Sequence, residues 1–313
     1  MSSAPVLALV GATGLVGGHL LPTFLVALSK GQLSAIRILT SSPDSDKLNS
    51  LRSFPKVSIH AISYSDSSSV EQALSGVGIL ISAMGSSPTK EGSYESSKAT
   101  LLKAAAAAKV KVYTPSEWGT DHASSAAQKI GSPMFTNKQE HHAEAERLGI
   151  KVVAIYNALL LEMSFSAWLG LDISIPNPIW TIPTPSYPVA FTSFQDIGPY
   201  VLSATLQAYR SVDIPSRLRV YSDSLTLDEA ADLWEKETGN KIERKSSDGE
   251  ELQKRYEEIK PTLQPGMLGP AIPWMMSQGG FDHSKDNSNA LLNRGEFAFE
   301  THSVADFFAS LSK

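Results

Sequence analysis

A glycine turn close to the start of the chain constrains the fold more than any other feature. Val6-Leu7-Ala8-Leu9-Val10 is an unbroken apolar run, and Gly11-Ala12-Thr13-Gly14-Leu15-Val16-Gly17 follows it directly. A short run without polar alternation suits a parallel strand buried on both faces. After the turn, Leu15 to Leu28 reads as an apolar helix. Strand, glycine turn and helix form the context that a dinucleotide fingerprint requires. Gly11 permits the tight turn, Gly14 lets backbone N–H groups approach a pyrophosphate, and Gly17 lets the helix pack on the strand. The helix N-terminus adds partial positive charge beside the phosphates. Thr13, Leu15 and Val16 belong to the same binding turn. The spacing is GxxGxxG rather than GxGxxG, and plain turn chemistry is the alternative reading.

The period keeps alternating through the first half. Further strands are expected at Ile36–Thr40, Val57–Ile62, Val77–Ala83, Val110–Thr114 and Lys151–Tyr156, with an Ala-rich helix over Ala99–Ala108. Strands alternating with helices imply right-handed βαβ units. The expected fold is therefore α/β: a Rossmann-type doubly wound parallel sheet with a smaller α/β substrate-binding lobe. The second half changes character. Pro176, Pro178, Pro183, Pro185 and Pro188 exclude an interior helix or a central strand between 172 and 190. Val189–Thr192 reads as a returning strand with a helix over Asp196–Ala208 behind it. Thr226 and Glu229 form a capping-box pattern ahead of a helix to Gly239, and a last helix spans Val304–Leu311. Residues 1–157, with 189–208 returning, are assigned to nucleotide binding. Residues 158–188 and 209–313 are assigned to the substrate lobe.

Composition narrows the chemistry. The 313 residues contain no cysteine, which removes disulfides, thiolate metal sites and Cys nucleophiles together. No metal is expected. The 27 Lys and Arg against 32 Asp and Glu give a net charge of −5, with no basic stripe, so nucleic acid is not an expected partner. The N-terminal Met1-Ser2-Ser3-Ala4-Pro5 lacks a basic n-region, and glycines interrupt the first apolar run, so no membrane span is expected. A cytoplasmic monomer or homodimer is the default.

An acid at the end of the second strand would hold the ribose of NAD, and an arginine the 2′-phosphate of NADP. This chain has Thr40-Ser41-Ser42-Pro43, with Lys47 following. Hydroxyls bond a phosphate without repelling it, so the reading favours NADP(H), with NAD(H) left open and a Ser-Pro turn as the bland alternative.

Beyond the turn, Thr114-Pro115-Ser116-Glu117-Trp118-Gly119 follows the fifth strand, and Lys138 lies further on. Ala154-Ile155-Tyr156-Asn157 ends the sixth strand, and Phe191-Thr192-Ser193-Phe194-Gln195-Asp196-Ile197-Gly198 stands where the chain returns. These segments, with the glycine turn, resemble the NmrA-like, atypical branch of the short-chain dehydrogenase/reductase superfamily. They are most similar to isoflavone reductase-like and phenylcoumaran benzylic ether reductase proteins, along nearly the whole chain. The resemblance implies NADPH-dependent hydride transfer to an aromatic, phenolic or quinone-methide-like compound, with Lys138 as the catalytic lysine. Ala83, Met84, Ser116 and Asn157 complete the expected cofactor contacts. Two positions depart from the family pattern. Its arginine after the second strand falls on Ser41, and its phenylalanine near the nicotinamide falls on Leu159.

Read on their own chemistry, the remaining candidates each have a bland alternative. Tyr94-Glu95-Ser96-Ser97-Lys98 matches the Tyr-x-x-x-Lys of short-chain reductases literally, but it precedes the fifth strand and is expected to be a solvated loop. Lys138 stands in the correct interval with Met134, not tyrosine, four residues before it. A partly desolvated lysine can take part in proton transfer; the alternative is a surface ion pair on a helix from Asn137 to Leu148. Ser116 is either a ligand or a turn cap. His141 and His142 point apart on a helix and are expected on a solvated face, and Asp282 and His283 on a surface loop. Trp118, Leu159, Met163, Trp168 and Trp274 are the expected substrate contacts, with simple core packing as the alternative. Two further functions stay open: a non-catalytic dinucleotide-sensing regulator, and cofactor-assisted isomerisation.

Overall fold

The computed structural model describes residues 3–85, 93–262 and 268–311. Six parallel strands form the main sheet: β1 (Val6–Val10), β2 (Ala35–Thr40), β3 (Val57–Ala61), β4 (Ile79–Ser82), β5 (Val112–Thr114) and β6 (Lys151–Val152). Their order is β3-β2-β1-β4-β5-β6, the order of a Rossmann-type doubly wound sheet. Alternate residues of β1 feed opposite faces. Leu7 and Leu9 join a core with the helices Leu15–Ser29 and Phe194–Tyr209. Ala8 and Val10 join a second core with the helices Ser67–Leu74 and Tyr94–Ala107. A strand packed on both sides has no face to leave polar, which is why its sequence is continuously apolar.

The expected strand Lys151–Tyr156 divides at Val153. Lys151 and Val152 pair with β5, whereas β7 (Ala154–Tyr156) pairs with β11 (Arg217–Arg219). β10 (Val189–Thr192) lies between β8 (Leu159–Leu160) and β12 (Asp223–Leu225), outside the six-stranded sheet. The helix after it, Phe194–Tyr209, does pack on the main sheet beside Leu15–Ser29; Gly198 makes this approach possible, because a Cβ there would lie 2.3 Å from Thr23 Oγ1. The proline segment forms β9 (Ile179–Thr184), which pairs with β13 (Glu243–Asp248) in a two-stranded ribbon. In a two-stranded ribbon each strand keeps one open edge, so Pro183 is tolerated. A third core, rich in aromatics, holds the second lobe: Phe165 stacks on Trp180 and Phe191 at centroid distances of 5.6 and 5.3 Å. No helix among the described residues is long and apolar enough to cross a membrane.

Candidate active site

The strand order reverses between β1 and β4, and the glycine turn leaves the sheet at that point. Gly11 has φ +80°, and a Cβ on it would stand 2.3 Å from the Ala83 carbonyl oxygen. A Cβ on Gly17 would stand 2.1 Å from the Gly11 oxygen. Both positions therefore demand glycine: one brings the turn against the end of β4, the other brings the helix against the turn. The helix Leu15–Ser29 starts at Gly14 with no side-chain cap and no acid in its first turn. Its first N–H groups thus face the crevice without competition from a carboxylate. A cleft of about 310 Å³ opens there, lined by Gly11, Ala12, Thr13, Thr40, Ser41, Ser42, Tyr64, Met84 and Gly85 among others. No carboxylate lines it among the described residues. This cradle suits a dinucleotide. Lys47 is exposed on a short 3₁₀ turn and does not line the cleft. Asn157, at the end of β7, is fully buried, and both its side-chain polar atoms lack partners among the described residues.

Ser116 joins this cleft to a second one. Its hydroxyl donates to the Met84 carbonyl at 2.8 Å, and its own carbonyl accepts from Lys138 Nζ at 2.9 Å. Lys138 stands on the helix Pro133–Arg147, four residues longer at its start than expected because Pro133 sits in the first turn, where no N–H is needed. Nζ also donates to the Glu117 carbonyl at 3.2 Å and meets Glu117 Oε2 at 3.2 Å. The two carbonyls accept two of the three ammonium donors, and Oε2 pairs with the charge outside hydrogen-bond geometry. Lys138 faces a cavity of about 260 Å³ whose other walls are nearly all apolar: Trp118, Met134, Phe135, Ala158, Leu159, Leu160, Met163, Leu268, Ile272, Met275 and Phe281. Trp118 is held at φ +38°, a rare backbone state for an aromatic residue, while its Nε1–H donates to the Ser82 carbonyl at 3.1 Å.

Trp274 departs from the expected pocket. On the helix Ile272–Ser277 its neighbours Ile272 and Met275 face the cavity, and Trp274 turns the other way, onto Tyr256 at 5.8 Å. Ile272 and Met275 are three positions apart, so those two share a face that position 274 cannot. The side chain of Trp168 lies outside the described residues. Met134, Phe135 and Phe281 reach the cavity without any local motif to mark them.

The histidines correct the sequence reading most sharply. His141 and His142 do point apart, but both are buried, because this helix is packed on both sides. His141 Nε2 lies 3.0 Å from the Tyr113 hydroxyl, and burial, helped by the charges of Lys98 and His142, lowers its pKa to about 3. His142 Nε2 lies 2.9 Å from Glu117 Oε1, and His122 Nε2 lies 3.3 Å from Oε2 and 2.9 Å from the Tyr156 hydroxyl. Burial acts to raise the Glu117 pKa, but the Lys138 ammonium and the two imidazoles beside the carboxyl outweigh it and hold the carboxyl well below its usual range. An ionised carboxylate only accepts, so His142 Nε2 carries the hydrogen. The cation facing this carboxylate is the lysine ammonium, and the cluster is an ion-pair network.

His283 is also buried rather than on the surface. It meets the Val220 carbonyl at 3.2 Å, and burial lowers its pKa to about 4. Asp282 is half-buried beside it. The Tyr94–Lys98 pair is no solvated loop either. Tyr94 opens the helix Tyr94–Ala107, and Lys98 is buried, over the Tyr94 ring at 5.2 Å and 2.6 Å from Glu95. Burial and the Glu117 and Glu95 charges push the Tyr94 hydroxyl pKa up, against a hydrogen bond with Ser116.

The sequence profile of the NmrA-like family matches residues 4–264. The chain belongs to the NmrA-like family. It is 26% identical over 267 residues to the phenylcoumaran benzylic ether reductase of Pinus taeda, covering 81% of this chain and 82% of that protein. Its fold is similar to the solved leucoanthocyanidin reductase–NADPH complex of Vitis vinifera, with a TM-score of 0.72 and 18% identity over 97% of this chain and 98% of the other. It is also similar to the NADPH complex of an NADPH-dependent quinone oxidoreductase of Escherichia coli, with a TM-score of 0.68 and 18% identity over 97% and 99%. These likenesses agree with the Rossmann-type α/β fold of this NmrA-like chain.

Proposed function

We propose that this NmrA-like protein is an NADP(H)-dependent reductase that delivers hydride to an electrophilic carbon of a neutral aromatic, phenolic or quinonoid small molecule. The observation that carries the reading is the linkage Met84–Ser116–Lys138, which places an ammonium where the glycine-turn cleft meets an apolar cavity. The reduced nicotinamide supplies the hydride when bound. Backbone N–H groups at Leu15 and Val16 and the hydroxyls of Thr13, Ser41 and Ser42 are suited to hold its phosphates. The absence of a carboxylate among the described cleft residues favours the 2′-phosphorylated form. The names of the pine, grape and bacterial proteins, all reductases or oxidoreductases, support the reaction class.

The chain's own residues do the rest. Trp118, Phe135, Leu159 and Met163 exclude water and orient an aromatic ring. With water excluded, the Lys138 charge acts strongly on a developing oxyanion, and its Nζ–H donates the proton. An open apolar cavity with an ammonium in its wall supports catalysis over cofactor sensing alone. Fluorescence titration with NADPH and NADH, then a turnover screen of phenolic and quinonoid compounds, tests the reading. NADPH binds more tightly, and Lys138→Ala lowers kcat by roughly 10²-fold or more while NADPH affinity changes by only a few fold. Full turnover in that variant overturns the assignment of Lys138.

A further inference from the structure

A lysine that gives up a proton in every turnover must be recharged. With substrate in the cavity, the open side of Lys138 is covered. Behind Nζ stands the Glu117 carboxylate, whose side chain is only 2% exposed. Its two oxygens face two different donors: Oε2 meets Lys138 at 3.2 Å and Oε1 meets His142 at 2.9 Å. Oε2 accepts no well-directed hydrogen bond among the described residues, so it keeps a lone pair free within proton-transfer distance of Nζ. Of the two imidazoles on this carboxylate, His142 is the one with an outlet, its side chain 11% exposed against 2% for His122.

We propose that His142 and Glu117 form a proton path that recharges Lys138 from the protein surface, with His122, held by the Tyr156 hydroxyl, beside the carboxylate. The proposal rests on the reductase reading for its use. As the hydride electron pair reaches the substrate carbon, one Lys138 N–H bond breaks and its proton forms the new O–H bond, leaving a neutral amine. As water protonates His142 Nδ1, the Nε2 proton passes to Glu117 Oε1, so the ring stays neutral, and the carboxyl yields a proton to the amine. His142 takes its replacement from water, so each turnover consumes one hydride from the reduced nicotinamide and one solvent proton. Glu117 and His142 are positioning residues here, since both act through Lys138.

Other titratable groups face the path from every side. His122 lies beside Oε2 with the Tyr156 hydroxyl on its ring, and Asp121 with Arg217 and Arg219 stands behind Tyr156. His141, with Tyr113 and Lys98, occupies the other side of the same helix, and Tyr94 senses Glu117 from the neighbouring helix.

Two measurements decide the proposal. The first needs no substrate: the His142 imidazole is titrated by NMR in the wild type, Lys138→Met and Glu117→Gln. Lys138 and His142 share one negative charge, so removing the ammonium raises the His142 midpoint by roughly one pH unit, and Glu117→Gln lowers it. A midpoint unmoved by either substitution overturns the path. The second uses His142→Gln, which retains an N–H for Oε1 but cannot pass a proton. The first hydride transfer, followed by stopped flow, slows no more than about threefold, whereas steady-state turnover above pH 7 falls tenfold or more and recovers with added imidazole. Equal loss in both phases, or none in either, overturns the path and leaves His142 a packing residue. If no compound is reduced at all, the reductase reading fails, and the NMR titration alone decides the coupling.

Discussion

His141 and His283 are imidazoles kept neutral by burial, and each makes the protein sensitive to acid. Their folded pKa values, about 3 and about 4, lie below the ordinary 6.5, so the unfolded chain binds more protons between those limits. Stability therefore rises with pH through that window and falls as pH drops below about 6.5, by up to about 1.4 kcal/mol per unit for each ring. Between pH 6.5 and 5 the pair costs about 3 kcal/mol. Urea unfolding at pH 7 and pH 5 reads this directly, and His141→Phe should flatten the slope by roughly half. Equal midpoints at the two pH values would refute it. Neither burial was legible in the sequence. The rule that adjacent helical residues point apart is obeyed, but it says nothing about whether both directions lead into protein. The stretch Asn137–Arg147 is polar enough to read as a solvated face, and its partners, Tyr113 and Glu117, come from a distant strand and loop. Lys138 was singled out through the resemblance, whose catalytic lysine falls at this distance after Ser116-Glu117, whereas the meeting of Glu117, His122 and His142 depends on tertiary contact that no local spacing encodes.

At the scale of elements, the glycine turn is the place where sequence and geometry coincide. A Cβ at Gly17 falls 2.1 Å from a backbone oxygen, which no rotamer change relieves. Gly17→Ala must push the helix Leu15–Ser29 off the turn, at a cost of roughly 1–3 kcal/mol. The same shift moves the helix N-terminus away from the phosphate site, so dinucleotide affinity falls at least about tenfold, or ~1.4 kcal/mol. Calorimetric titration with NADPH checks this; wild-type affinity in that variant would show that the turn does not hold the phosphates. Such a turn was readable because its causes are local. The capping box at Thr226 and Glu229 was readable for the same reason, and both of its hydrogen bonds are present. Strand pairing is another matter. Lys151 to Tyr156 looks like one strand, yet Val152 and Ala154 serve different partners, and Val189–Thr192 pairs with β8 and β12. Apolar character marks a buried strand without naming its neighbour.

Across the whole molecule, one buried carboxylate clips the two lobes together. Asp196 begins the helix Phe194–Tyr209, which belongs to the core of the main sheet. It accepts from Ser222 Oγ, from the His302 backbone N–H at 2.8 Å and from His302 Nδ1 at 2.7 Å. Directly after His302 comes the helix Val304–Leu311, whose Phe308 packs in the aromatic core of the second lobe, 4.7 Å from Phe165 and 5.3 Å from Trp234. The C-terminal segment is thus fastened to one core by a charge and to the other by a ring. Asp196→Ala leaves three donors without an acceptor, and stability falls by about 2–4 kcal/mol. Asp196→Asn, which keeps one carbonyl oxygen, should lose less. The opening should be local before it is global: amide exchange across 302–311 speeds up and protease cuts near His302, while the strands of the main sheet stay protected. If exchange in that segment is unchanged in Asp196→Ala, the aromatic core alone holds the C-terminus. The lobes would then be joined by packing rather than by this carboxylate.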